Sequence, residues 1–253
     1  MKLSVITVCM NAQDTIAEAV QSVHRQSHGE VEHIVVDGGS TDRTLSVLEQ
    51  HRDGIARLVS ESDSGLYDAM NKGIAMATGD YVGFLNADDA YAHDHVLELV
   101  ADAFDRASCD AAYGDLVYVD ARDTSSVLRY WRSSSFRKGL LQAGWIPPHP
   151  TLFVRTLLLR ELGGFDTRLR YQSDVKFMLR LFHRDSVTSH YIPEVLVRMR
   201  TGGHSNSSLR NIVLGNLEAY RAARELGIAK SPIWVARKFL HRSRQFFLRP
   251  RND

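Results

Sequence analysis

Apolar residues in the first half of the chain concentrate in short runs, at 3–10, 31–36, 55–60 and 81–85. Runs of this length, rich in Val and Ile and bounded by polar turns, read as strands buried on both faces. Between them the apolar positions recur at helical spacing: Ile16, Ala19, Val20 and Val23; then Leu45, Val47 and Leu48; then Met70, Ile74 and Ala77. A further helix is expected to carry Leu97, Val100, Ala101 and Phe104, and 111–119 reads as a strand interrupted by Asp115. Thr15 to Glu18 has the form of a capping box, Asp94 that of an N-cap and Gly79 that of a helix stop. Strands and helices that alternate with short links predict an α/β fold, a mostly parallel sheet covered by helices on both faces.

The strands of this half end in acids. The fourth runs Tyr81-Val82-Gly83-Phe84-Leu85-Asn86-Ala87-Asp88-Asp89. An unpaired carboxylate inside a buried strand is too costly to desolvate, so Asp88 and Asp89 belong where the strand leaves the sheet. That edge is where open α/β sheets bind ligands. The second run ends in Asp37-Gly38-Gly39-Ser40-Thr41-Asp42, and the third leads into Glu61-Ser62-Asp63-Ser64-Gly65. One polar strand end is ordinary, but three delivered to one edge point to a site. Adjacent carboxylates are hard oxygen ligands, suited to Mg²⁺ or Mn²⁺ shared with a phosphate. Asp68 and Lys72, four apart on a helix, can pair.

After about residue 120 the pattern changes. Residues 122–150 are polar and aromatic, and Trp145-Ile146-Pro147-Pro148-His149-Pro150 is stiff and extended. A strand is expected at 151–154 and a short helix at 157–162, stopped by Gly163-Gly164. The next helix buries Val175, Met178, Leu179 and Phe182, with Ser173 as its N-cap and Asp174 in its first turn. Residues 187–199 alternate as an extended strand, and the chain from 207 is helical and increasingly basic. The expected organisation is one domain at 1–204, with halves meeting at 120, and a basic helical segment at 205–253.

Composition narrows the function classes. Lys and Arg number 31 against 30 Asp and Glu, a formal net charge of +1, so bulk charge does not suggest nucleic acid. Two cysteines, Cys9 and Cys109, make neither a disulfide framework nor a metal ligand set and fit a reducing cytoplasm. No signal-peptide pattern or run of membrane-span length is expected. No Gly-x-Gly-x-x-Gly follows the first strand, which weighs against a dinucleotide-dependent oxidoreductase.

Taken in order, Val5-Ile6-Thr7-Val8 with Asn11, Val35-Val36-Asp37-Gly38-Gly39-Ser40-Thr41-Asp42, Ser60 to Gly73, Phe84 to Asp89, Gly163-Gly164-Phe165-Asp166 and Ser173-Asp174 resemble family-2 glycosyltransferases of the GT-A fold. Pro148-His149-Pro150-Thr151-Leu152-Phe153 is similar to bacterial members that build exopolysaccharide or lipopolysaccharide units. The resemblance implies sugar transfer from a nucleotide-diphosphate donor to a glycan or lipid-linked acceptor, with inversion and with Mg²⁺ or Mn²⁺. It implies Thr7, Asn11, Asp37, Asp63, Lys72, Asn86 and Asp88 on the nucleotide-sugar, and Asp174 as the base. On the acceptor side it suggests Asp115, Trp145 and His149. His149 could equally touch a phosphate or be structural, and Trp145 could stack on a sugar or fill core. Metal contact is expected at Asp88 and Asp89, with His204 as a further ligand. Asn86 departs from the family's Asp-x-Asp, and its lost charge leaves a non-catalytic sugar-nucleotide-binding protein as the alternative. A lipid-linked acceptor would place the chain at the inner face of the plasma membrane. Residues 231–249, where Ile233, Trp234, Phe239 and Leu240 mix with Arg237, Lys238 and Arg242, suit an interfacial helix, unless they pack on the domain.

Overall fold

The structure, a computed structural model, describes residues 1–202, 209–243 and 245. Strands β1 (Leu3–Cys9), β2 (Val31–Asp37), β3 (Arg57–Ser60) and β4 (Tyr81–Phe84) lie where the apolar runs predict them and pair in parallel, in the order β3-β2-β1-β4. Helices α1 (Ile16–His24), α2 (Thr44–Gln50) and α3 (Leu66–Met76) make the crossovers. Beyond β4 the sheet becomes mixed. Strand β5 (Asp89–Tyr91) and helix α4 (Val96–Ala107) follow, then β6 (Ala111–Val119), β7 (Val127–Trp131), β8 (Phe153–Arg155) and, after helices α5 (Thr156–Glu161) and α6 (Ser173–His183), β9 (Ser189–Arg200). The sheet continues β4-β8-β6-β9-β5, with β7 on β6. β8 runs antiparallel to both β4 and β6, and β9 parallel to β6. Glycine at 83 makes the β4–β8 pairing possible: a Cβ there would lie 2.3 Å from the ring of Phe153.

One face of the sheet packs Ile6, Ile34, Val36 and Val82 against α3, α5 and α6. The other packs Leu3, Val5 and Leu116 against α4, while α1 and α2 cover Cys9 and Val35. Helices α7 (Leu209–Glu225) and α8 (Ile233–Ser243) complete the described chain. α8 is anchored to the domain. Trp234 is buried and its indole N–H donates to the Leu141 carbonyl at 2.7 Å. Gly144, at φ +84°, lets that loop touch the α8 backbone, since a Cβ would lie 2.6 Å from the Lys238 nitrogen. The expected free interfacial helix is therefore corrected at these positions: Trp234 and Lys238 face inward, and Ile233, Phe239 and Leu240 remain exposed.

Several expected caps are replaced by tertiary contacts. Thr15 makes no side-chain cap, and Glu18 of the anticipated capping box pairs instead with Arg200. Helix α4 begins at Val96, and Asp94 pairs with Arg25 at 3.4 Å. α3 ends at Met76, three residues before Gly79; a side chain at Gly79 would collide with Ser4, its Cβ 2.7 Å from the Ser4 nitrogen. Ser173 is the first residue of α6 rather than its cap, and its hydroxyl has no partner among the described residues.

At the opposite edge from the acid-bearing strand ends, Glu32 is buried and accepts hydrogen bonds from Ser4, the Thr78 backbone and hydroxyl, and Lys2, at 2.6 to 3.3 Å. Burial opposes its charge, but the donors prevail and hold the carboxyl down at about 2. A carboxyl depressed on folding stabilises the fold fully above its unfolded pKa and loses that contribution as pH falls. Glu32→Gln is expected to lower the melting midpoint at pH 6 by on the order of 5 °C. The gap to the parent should close between pH 4.5 and about 2. A gap constant over that range would contradict the assignment.

Candidate active site

The site is built on the C-terminal ends of β1, β2 and β4. Asp37 closes β2 and is fully buried. Its carboxylate accepts from the Gly39 and Ser40 backbone at 3.1 and 3.0 Å, from the Ser60 hydroxyl at 2.7 Å and from the Ser40 hydroxyl. Burial works against its charge, yet these donors keep its carboxyl below the usual range. With its lone pairs occupied and no exposed surface, Asp37 shapes the turn in this structure. Asn11, at φ 51°, grips the same turn: its amide oxygen accepts from the Thr41 backbone at 2.9 Å, and its N–H donates to Ser40 at 2.8 Å. Asp63 lies against Gly38, where a Cβ would sit 2.4 Å from its Oδ2, and accepts from the Gly65 N–H at 2.9 Å.

Two further expectations on this side change. Thr7 is fully buried and its hydroxyl hydrogen bonds His33 Nε2 at 3.0 Å, so it does not line the site. Lys72 binds the Ser62 carbonyl at 3.1 Å, Glu61 at 2.9 Å and Asp68 at 3.8 Å. Its cation staples the 61–68 loop into place, and Glu61's hydrogen bond holds it protonated above its ordinary range.

Asp88 and Asp89 stand where β4 gives way to β5. Asp88 is half-buried; Asp89 is buried behind it. Asn86 donates its amide to Asp89 Oδ2 at 3.0 Å, while Oδ1 has no partner among the described residues. Burial pushes both carboxyls up, and the charge of Asp88 adds to the push on Asp89; Arg200, at the end of β9, acts in the opposite direction. The amide at 86 thus orients the buried acid, a role for which a second carboxylate would be repulsive. Such a pair fits a divalent cation: two hard oxygen donors, one with an orphaned atom, whose ionised forms the protein alone leaves undercompensated. Among the described residues no three His, Cys, Asp or Glu side chains converge as a full ligand set, so other ligands would come from phosphate and water, the habit of Mg²⁺. His204 lies outside the described residues.

Asp174 lies in the first turn of α6. Tyr67, from the start of α3, donates its hydroxyl to Asp174 Oδ1 at 3.0 Å. The segment leading into α6 is held by Glu218 of α7, whose carboxylate accepts the N–H groups of Arg170, Tyr171 and Gln172 at 2.9 to 3.1 Å. An aromatic cluster connects this acid to the donor side. Phe165 meets Tyr67 at 5.7 Å, Phe84 at 5.2 Å and His149 at 5.5 Å between ring centres. Asn71 pins Phe165 through paired bonds of 2.9 Å to its carbonyl and N–H. His149 is buried in this cluster, its Nε2 without a partner among the described residues, and burial outweighs the pull of Asp174 to keep the ring neutral. Its place inside the cluster favours the structural role among the readings its sequence left open.

The remaining acceptor-side residues also turn inward. Asp115 is buried and accepts from the Tyr130 hydroxyl, from Ser133 N at 2.7 Å and from the Tyr191 hydroxyl at 2.8 Å. It braces the β6–β7 hairpin. Trp145 packs edge-on against Tyr113 and Phe182 and is buried, with one side lining a cavity. Sequence reasoning missed Tyr67, Arg200 and the two cations α8 brings near Asp174. Lys238 is buried, bonded to Gln172 at 3.3 Å and Asn216 at 3.5 Å, and burial with the neighbouring Arg242 charge brings it down to about 7. The signal was present as basic residues in an apolar tail, but nothing local says which of them turn inward.

Comparison with known proteins agrees with this geometry. The family model described as Glycosyl transferase family 2 matches residues 4–162. A PGL/p-HBAD biosynthesis glycosyltransferase of Mycobacterium bovis (strain BCG / Pasteur 1173P2) is 31% identical over 216 residues, covering 81% of this chain and 79% of the relative. An uncharacterized glycosyltransferase of Mycobacterium tuberculosis (strain CDC 1551 / Oshkosh) is 35% identical over 181 residues, covering 70% and 68%. Among solved structures, S. aureus TarS 1-349 in complex with UDP-GlcNAc superposes with a TM-score of 0.72 at 21% identity, over 90% of this chain and 66% of that one. The mannosyltransferase PcManGT from Pyrobaculum calidifontis, in complex with GDP-Man and Mn²⁺, gives 0.64 at 18% identity, over 95% and 73%. By sequence family and by fold, the chain belongs to glycosyl transferase family 2 and is a glycosyltransferase of the GT-A fold.

Proposed function

We propose that the chain transfers a sugar, with inversion, from a nucleoside-diphosphate sugar to a hydroxyl of a glycan or lipid-linked acceptor in the synthesis of bacterial surface polysaccharide or glycolipid. The observation that carries this reading is the pairing of two unlike acids across one aromatic bridge: the half-buried Asp88 at the sheet edge and Asp174 held by Tyr67. The nucleotide is assigned to the turns at 38–42 and 61–66, which Asn11, Asp37 and Lys72 hold in shape. Its diphosphate faces Asp88, with Arg200 supplying positive charge nearby. Neighbours in complex with UDP-GlcNAc and with GDP-Man and Mn²⁺ support a donor of this class. Asp88 and Asp89 would hold Mg²⁺ or Mn²⁺, which when bound stabilises the charge developing on the leaving diphosphate.

Asp174 is the base. An acceptor hydroxyl is a poor nucleophile, and a carboxylate opposite the leaving group takes its proton during attack on the anomeric carbon. The Tyr67 hydroxyl occupies one carboxylate oxygen and leaves the other for the acceptor. Attack from the side opposite the leaving group inverts the anomeric centre. Asp174→Asn is expected to keep nucleotide binding and to lower transfer by about two orders of magnitude or more. Tyr67→Phe, which keeps the ring and removes the tether, should cost roughly tenfold. Nucleotide affinity falling in step with turnover would make Asp174 structural.

Asp88→Ala should abolish Mn²⁺-dependent thermal stabilisation by UDP or GDP, because a ligand stabilises only through the folded state it binds. Stabilisation equal to the parent's would remove Asp88 from the donor site.

The chain is further read as working at the cytoplasmic membrane face. Among the described residues no helix is long and apolar enough to cross a bilayer. Six of the exposed large apolar residues gather on the last two helices: Val213, Leu214 and Leu217 on α7, and Ile233, Phe239 and Leu240 on α8. Arg210, Arg221 and Arg237 stand exposed beside them. That mixture suits anionic headgroups and the acyl boundary. Full-length protein should pellet with anionic liposomes at low salt, be released by salt, and bind less after Leu217→Ser and Leu240→Ser together. Supernatant recovery of the parent at low salt would sink this part.

A further inference from the structure

Between the β6–β7 hairpin, the loop at 133–146 and α8 lies a cavity of about 420 Å³. A second space of about 500 Å³ adjoins it, sharing Arg132, Ser133, Ser134 and Leu140. Volumes of this order suit one or two sugar units. Neither space is lined by a carboxylate, whereas Arg132, Arg137, His241 and Arg242 all contribute. The nearest acid, Asp115, has its oxygens occupied by Tyr130, Ser133 N and Tyr191.

The walls are rigid. Arg242 lies over the Trp131 ring at 4.8 Å and has no carboxylate partner among the described residues. Arg132 hydrogen bonds Tyr191, which is itself fixed by Asp115. Ser133 is buried, its backbone is tied to Asp115, and its hydroxyl has no partner among the described residues. Trp145 contributes an aromatic surface. Arg129 bonded to Gln245, together with Trp234 on Leu141, holds α8 as the closing wall. A half-buried guanidinium without a counter-charge and an unsatisfied buried hydroxyl are each costly. A ligand that accepts hydrogen bonds and carries negative charge removes both costs at once. Lys238, one turn from Arg242 on α8, bonds Gln172 just ahead of α6 at 3.3 Å, so the helix that walls the cavity is tied to the start of the helix that carries Asp174.

We propose that this cavity is the acceptor subsite and that it selects a sugar carrying a phosphate ester, the phosphate held by Arg132, Arg242 and the Ser133 hydroxyl and the sugar laid against the tryptophans. Bidentate guanidinium contact suits a phosphate. The inference rests on the glycosyl-transfer reading for its link to Asp174, but the binding it describes is measurable without turnover.

The test is equilibrium binding by the full-length chain, without donor, of a hexose 1-phosphate, the free hexose, and the octyl ester of the same hexose phosphate. The phosphate esters should bind at least tenfold more tightly than the hexose. Arg242→Gln and the exposed-site variant Arg132→Gln should each weaken them by tenfold or more, about 1.4 kcal/mol per decade, while UDP or GDP binding with Mn²⁺ stays at the parent level. Tighter binding of the octyl ester assigns the phosphate to a lipid-linked acceptor, and equal binding to a soluble one; both support the subsite. Equal binding of hexose and hexose phosphate, or ester affinity unchanged in both variants, overturns it. Absence of nucleotide binding with ester binding intact would instead overturn the donor assignment alone.

Discussion

The site depends on how Phe165 is held. Its backbone is bonded twice by Asn71 of α3, and its ring stands between Phe84, Tyr67, His149 and Phe177. Each neutral hydrogen bond is worth only about 1 kcal/mol net. The ring contacts add roughly 0.5–1.5 kcal/mol apiece beyond burial. Their importance is geometric: Phe84 ends the strand that delivers Asn86 to Asp89, while Tyr67 holds Asp174. One side chain therefore touches both the strand that leads to Asp88 and the tyrosine that holds Asp174. Gly164 at φ +61° is part of the same constraint, since a Cβ there would lie 2.5 Å from the Asn71 amide oxygen.

Around this bridge the chain divides its labour. Parallel strands bring polar turns to one edge, and their side chains are spent on holding backbone in place. Asp37, Asn11 and Lys72 all do this. On the other side, the last two helices are tied into the domain. Glu218 of α7 satisfies three N–H groups ahead of α6, the helix that carries Asp174, and α8 closes the cation-lined cavity beside it. Exposed ion pairs such as Arg106 with Asp102 contribute little by comparison.

The first half of the fold was legible because its strands are short, mostly apolar runs that end in polar turns, three of them carrying acids, a pattern local to the chain. Asp88 was legible for the same reason, since a charge cannot remain inside such a run. Positions that depend on distant partners were not. Glu18 reads as a cap until Arg200 arrives from 182 residues away. Asp115 and His149 look like ligand contacts because their polarity shows in the sequence, whereas the donors and rings that bury them do not. Lys238 and Arg242 read as the basic members of an interfacial helix, and only the approach of the loop at Gly144 turns that side of α8 inward.

The central claim is that donor and acceptor occupy opposite sides of the Phe165 bridge. Amide hydrogen exchange of the full-length chain, with and without UDP or GDP in the presence of Mn²⁺, measures it directly. Protection is predicted in the turns at 38–42 and 61–66 and around 86–89, with 132–146 unchanged. Protection confined to 132–146, with the three strand-end turns unaffected, would contradict the account.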